Sequence, residues 1–76
     1  MHEIELDKSS PAVRKRIVEL GIPATMNIPA IRRNGVYIAP NGSTKLMAND
    51  VLFLLTEAKD QLSLLKLFNQ LQVPDQ

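Results

Sequence analysis

Ile31-Arg32-Arg33-Asn34-Gly35-Val36-Tyr37-Ile38-Ala39-Pro40-Asn41-Gly42 is the stretch that decides the fold. Asn34-Gly35 is a two-residue hairpin signal, because both residue types tolerate positive φ. The residues before it, 25–33, read as one strand, and the residues after it, 36–39, return as another. Val36 and Ile38 share a face of the returning strand. Pro40-Asn41-Gly42 then closes the stretch as a turn.

Upstream, His2-Glu3-Ile4-Glu5-Leu6-Asp7 alternates polar and apolar, which puts Ile4 and Leu6 on one face of a half-buried strand. Ser10-Pro11 reads as a helix start, with Ser accepting a backbone N–H and Pro at the first helical position. Val13, Ile17 and Leu20 follow at spacings of four and three as one apolar stripe. Gly21 and Pro23 then end the helix. Downstream, Leu46 stands alone before an Asn49-Asp50 turn. Val51-Leu52-Phe53-Leu54-Leu55 is an unbroken apolar run, the pattern of a strand covered on both faces. A last helix is expected from Thr56 or Glu57 to about Leu71. Its apolar residues (Leu62, Leu64, Leu65, Leu67, Phe68, Leu71) exceed one narrow stripe. It either lies deep in its own core or packs on its sheet and a second subunit as well. The order is β-α-β-β-β-α, an α+β domain with a mostly antiparallel four-stranded sheet and two helices. Residues 1–72 form the domain, and residues 73–76 are expected to be a disordered tail.

Composition narrows the function. The chain has 76 residues, 45% of them apolar, with three aromatics. A domain this small buries only about 60% of the surface its unfolded chain exposes, so this much aliphatic surface points to a partner. The net charge is +1, too weak a field to select nucleic acid or a membrane surface. There is no cysteine and a single histidine, His2, which excludes a disulfide scaffold and argues against a zinc site. No apolar run approaches the ~20 residues of a membrane span. A strand pattern already under way at His2 reads as a piece of a longer protein.

No catalytic constellation is present. His2 lies at the terminus, and no nucleophile elbow occurs. Glu3 and Glu5 fit a solvated outer face. Gly21, Gly35 and Gly42 are too widely spaced for a phosphate loop. Arg14-Lys15-Arg16 and Arg32-Arg33 are basic clusters, but the stacking aromatics of single-strand binders are missing; no nucleic-acid partner is expected. The hairpin stretch holds two guanidinium groups and two amides beside Ile31, Val36 and Ile38. Arg can fork onto a phosphate, and Asn can pair with a base edge. From residue types alone, Arg32 and Arg33 as solubilising hairpin residues is the simpler reading.

In order and spacing, Ser10-Pro11, Leu20-Gly21, Ile31-Arg32-Arg33-Asn34-Gly35, Pro40-Asn41-Gly42-Ser43-Thr44, Leu46 and Asn49-Asp50-Val51-Leu52 resemble the TrkA-C family, also called the RCK C-terminal domain, over nearly the whole chain. Two residues depart from the pattern. Arg14 stands where Gly is common, and its type is the better helix former; Asn49 stands where Gly is usual, and Asn suits a left-handed turn. The resemblance implies a cytoplasmic regulatory domain, not an enzyme, that dimerises and acts in cis on a membrane transporter of potassium or another monovalent cation. A cation/proton antiporter is favoured, since no Rossmann half precedes the domain in these residues. It also implies a groove for cyclic di-AMP or another small ligand, the only cofactor-like molecule expected. Carried over by position, that groove is lined by Ile31, Arg32, Arg33, Asn34, Val36, Ile38 and Pro40, with no metal. Two other readings stay open: a dimerisation scaffold without a ligand, and a nucleic-acid-binding module.

Overall fold

The computed structural model describes residues 1–57 and 61–72, apart from some side chains of the last helix. Four strands form one sheet: β1 (His2–Glu5), β2 (Met26–Arg33), β3 (Val36–Ile38) and β4 (Val51–Thr56). The order across the sheet is β1-β4-β2-β3, and all three pairings are antiparallel. One α-helix follows, α1 (Gln61–Gln72).

The hairpin is built as its sequence requires. Asn34 and Gly35 have φ of 52° and 79°, the doubly left-handed turn whose twist matches the flanking strands. In its register Ile31 faces Ile38, Arg32 faces Tyr37 and Arg33 faces Val36. β2 is a central strand that nevertheless contains Pro29. Its pairing with β4 shifts between Asn27 and Ala30. Pro29 thus sits within a bulge, where a missing N–H breaks no regular ladder.

Ile4, Leu6, Ile28, Ile31, Leu46, Leu52 and Leu54 form the core with Leu67 and Leu71 of α1. Leu67 and Leu71 are one helical turn apart, so they present one stripe to that core. Leu62 is 76% exposed. The other apolar residues expected to thicken this stripe, Leu64, Leu65 and Phe68, lie outside the described side chains, as residues 73–76 lie outside the described chain. Thr56 belongs to β4, not to the helix.

The first expected helix is not formed. Residues 11–14 are turns, and Ile17–Leu20 is a single 3-10 turn. The cause lies in where the backbone groups bond. Arg14 N–H donates to the Leu46 carbonyl (2.7 Å), Leu46 N–H to Lys15 (2.9 Å), Ile17 N–H to Thr44 (3.0 Å) and Val18 N–H to Gly42 (3.0 Å). Groups that an α-helix would use four residues away are bonded to residues 42–46 instead. The apolar stripe survives, since Val13, Ile17 and Leu20 still pack against the core. Ser10 also keeps its role: its Oγ accepts the Ala12 N–H (3.2 Å), and its hydroxyl donates to the Leu71 carbonyl. That bond serves a carbonyl in the last turn of α1, where no helical donor remains.

Arg14 has φ of 75°. It is therefore a left-handed position and not a helical one, which is the physical reason glycine suits it. The left-handed form costs an L-residue about 1–2 kcal/mol, and Gly loses about 0.5–1 kcal/mol of that advantage to chain entropy. Arg14→Gly should stabilise the domain by about 0.5 kcal/mol, read as a higher urea midpoint at unchanged slope. A drop in the midpoint would refute strain at Arg14.

The run 51–55 is covered unevenly on its second face in the single chain. Leu52 and Leu54 are buried on one face; on the other, Val51 is buried, Phe53 half-buried and Leu55 48% exposed, so the cover thins toward Leu55. The expectation of a strand covered on both faces is corrected to that extent. A fully covered strand and one with an open apolar face carry the same run of residue types.

Candidate functional site

The strand alternation divides the hairpin residues between two faces of the sheet. Ile31, Arg33, Val36 and Ile38 lie on the core side, and Arg32 and Tyr37 on the outer side. Ile31 is fully buried, so within one chain it supports the hairpin from behind and lines no surface. Val36 is exposed, Ile38 half-buried, and Asn34 exposed at the turn. Pro40 stands elsewhere. It lines a recess of about 370 Å³ with Ile17, Ile22, Met26, Ile28 and Asn41, among others, and no residue from 31 to 38 lines that recess. The seven expected residues are therefore not one cluster in a single chain.

On the outer face, the Arg32 guanidinium carbon lies 5.9 Å from the centre of the Phe53 ring, close enough for a cation–π contact. Tyr37 and Phe53 have ring centres 5.7 Å apart, tilted by 40°. The neighbouring Tyr37 phenol raises the Arg32 pKa, with Glu3 and Glu5 adding a smaller favourable field. Tyr37 is 62% exposed. An exposed phenol, a half-buried ring and a guanidinium together suit a planar or anionic group.

On the core side, Arg33 is bound tightly. Its Nε donates to Asp50 Oδ1 (2.9 Å), and its Nη2 donates to Asp50 Oδ2 (2.7 Å) and to the Lys45 carbonyl (3.0 Å). Hydrogen bonding to Asp50 raises the Arg33 pKa. Asp50 is fully buried and also accepts the Met47 N–H at Oδ2 (2.9 Å). The turn role read for Asp50 in the sequence is present, and the ion pair with Arg33 is added to it. Seventeen residues separate the pair, so no local pattern announces it. Asn49, with φ of 71°, makes the left-handed turn that brings Asp50 inward.

Among the described residues no group of three or more His, Cys, Asp or Glu could hold a metal ion. No helix there is long and apolar enough to cross a membrane.

A small antiparallel sheet with a crossing order of strands and few helices is the architecture of RCK domains. An RCK domain solved with cda superposes with a TM-score of 0.70 at 25% identity, covering 93% of this chain and 96% of that one. Residues 1–69 match the TrkA-C domain family, and the chain belongs to it. The K(+)/H(+) antiporter NhaP2 of Shewanella baltica is 34% identical over 65 residues, 86% of this chain. This chain spans only 11% of that antiporter's length. The RCK_C domain dimer of S. agalactiae BusR in complex with c-di-AMP has the same fold, with a TM-score of 0.69 at 24% identity, covering 91% of this chain and 89% of that one. BusR has also been solved with its busAB-promotor DNA, in a chain of which this one covers 35%.

Proposed function

We propose that this chain is a cytoplasmic regulatory domain of a monovalent cation/proton antiporter, which senses a cyclic dinucleotide as a dimer. The observation that carries the reading is the 34% identity to a K(+)/H(+) antiporter over a TrkA-C segment. The c-di-AMP complex of a dimeric neighbour of the same fold supports the ligand class. In this reading the ligand lies against the β2–β3 hairpin, between two copies. Arg32 meets a phosphate, Asn34 a polar edge, and Val36, Ile38 and Pro40 the apolar remainder, with Ile31 behind them and Arg33 at the base of the hairpin. Joining two chains is what brings Pro40 and the hairpin to one groove. A sensor of this kind works by differential affinity: the ligand favours one arrangement of the dimer, and that arrangement biases transport.

Titration calorimetry of the chain with cyclic di-AMP tests the ligand. Binding is expected, and Arg32→Ala should weaken it about tenfold or more, the effect of one charged hydrogen bond. An absence of heat with the native chain would remove the ligand and leave a dimerisation scaffold. The exposure of Val36, Tyr37 and Leu55 is the observation that favours that second reading. The dimer has its own test. Light scattering at micromolar concentration should give twice the 8.5 kDa chain mass, and a purely monomeric species would count against both readings.

A further inference from the structure

The geometry points to Arg33 as a positioning residue: it sets the hairpin through Asp50 and does not touch the ligand, whose phosphate is left to Arg32. This inference rests on the reading of the hairpin as a ligand site. Three observations carry it.

The first is occupancy. Arg33 uses Nε and Nη2 in three hydrogen bonds, two to one carboxylate and one to the Lys45 carbonyl. A side-on fork of this kind fixes the plane of the guanidinium as well as its position. The second is what its withdrawal would leave behind. Asp50 is fully buried, and its remaining hydrogen bond is the Met47 N–H. An anion that drew Arg33 out of this pair would strand a buried carboxylate with one backbone donor, which costs more than a surface phosphate contact returns.

The third is what the pair joins. The Asp50 carbonyl accepts the Leu6 N–H (2.8 Å), and Asn49 N–H donates to the Leu6 carbonyl (2.7 Å). Arg33 therefore ties the end of β2, one residue before the turn, to residues 45–50 and to the chain leaving β1. With Arg33 held inward, the alternation of the strand holds Arg32 outward over Phe53. The pair is thus the element that aims the other arginine.

The test is a double-mutant cycle on the affinity for cyclic di-AMP, run with Arg33→Gln, Asp50→Asn and the two together. Arg33→Lys is the milder variant should Arg33→Gln fail to fold. Amide hydrogen exchange is measured on each protein well below its melting midpoint. Each single variant should weaken binding about tenfold, and the double variant no further. Amides of residues 34–37 and 45–49 should exchange faster in each. Arg32→Ala should lose affinity with its exchange unchanged, a split that a mere loss of stability does not produce. The inference is overturned if Asp50→Asn binds as the native chain does while Arg33→Gln or Arg33→Lys loses affinity, since Arg33 then touches the ligand directly. It is equally overturned if the two losses multiply in the double variant, or if only the melting temperature moves. A native chain that does not bind cyclic di-AMP removes the ligand reading. The exchange measurement then decides alone, and unchanged protection of residues 34–37 in Asp50→Asn would overturn the positioning role.

Discussion

Asp50→Ala should destabilise the domain by about 3 kcal/mol, at the lower edge of what is lost when one partner of a buried ion pair is removed. Asp50 is buried completely, while the Arg33 side chain is 32% exposed. Water therefore relieves part of the stranded charge, which is why the lower edge applies. The Met47 N–H also loses its acceptor. A chain of this size has a total stability of roughly 4–11 kcal/mol, so the loss is a large share of the whole. It should lower the melting midpoint by roughly 12–24 °C. The control is the double replacement Arg33→Met with Asp50→Leu. Removing both charges leaves neither stranded, and replacing a buried pair by apolar residues is often neutral. The double variant should melt well above Asp50→Ala. If it melts at or below the single variant, the pair contributes net stability of its own, and a stranded charge is not the cause of the loss.

The pair also marks where the sequence stops being informative. Positive φ is a local demand, met by local chemistry. Asn34-Gly35 and Gly21 are legible directly, and Asn49 likewise. The apolar faces of β1 and of residues 13–20 are legible because alternation and stripe are properties of neighbours in sequence. The backbone of residues 11–20 is not. Its donors are taken by residues 42–46, and no periodicity within residues 11–20 records that bond. Arg14 misleads for the same reason, since its helix propensity says nothing once tertiary bonds set its φ. Pro29 carries a signal that the strand pattern hides: a proline within a central strand marks a bulge. The site has one too. Arg32 and Arg33 are consecutive in a strand, so they face opposite ways, and a single groove in one chain could not take both. That much follows from the sequence. That Arg33 is the one turned inward depends on Asp50, which the chain brings back from a distance. Membership of the TrkA-C family rests on the order of several short motifs, and 69 matched residues support it; none of those motifs distinguishes the arginine that holds the fold from the one that faces out.

Leu52→Ala is the second large effect, an expected loss of about 3–4 kcal/mol from a range of about 2–5 kcal/mol for buried leucines. Leu52 is fully buried. It pairs with Ile4 of β1 on one side and Ile31 of β2 on the other, and both of those side chains are fully buried as well. The cost of a cavity depends on whether its walls can move inward. Here the nearest walls are two strands held at fixed spacing by the ladders of β4, so the site collapses only in part and the middle of the range applies. Leu55 provides the contrast on the same strand. It points to the opposite face and is 48% exposed, so Leu55→Ala should change the stability of the isolated chain by no more than about 0.5 kcal/mol. Urea denaturation at two protein concentrations separates the two. The Leu52→Ala loss should be independent of concentration. A Leu55→Ala loss that grows with concentration would show that the outer face is covered by a second copy of the chain, because only then does association add to its stability. Equal losses for the two variants at low concentration would mean that β4 is covered on both faces within one chain, contrary to the exposure of Leu55.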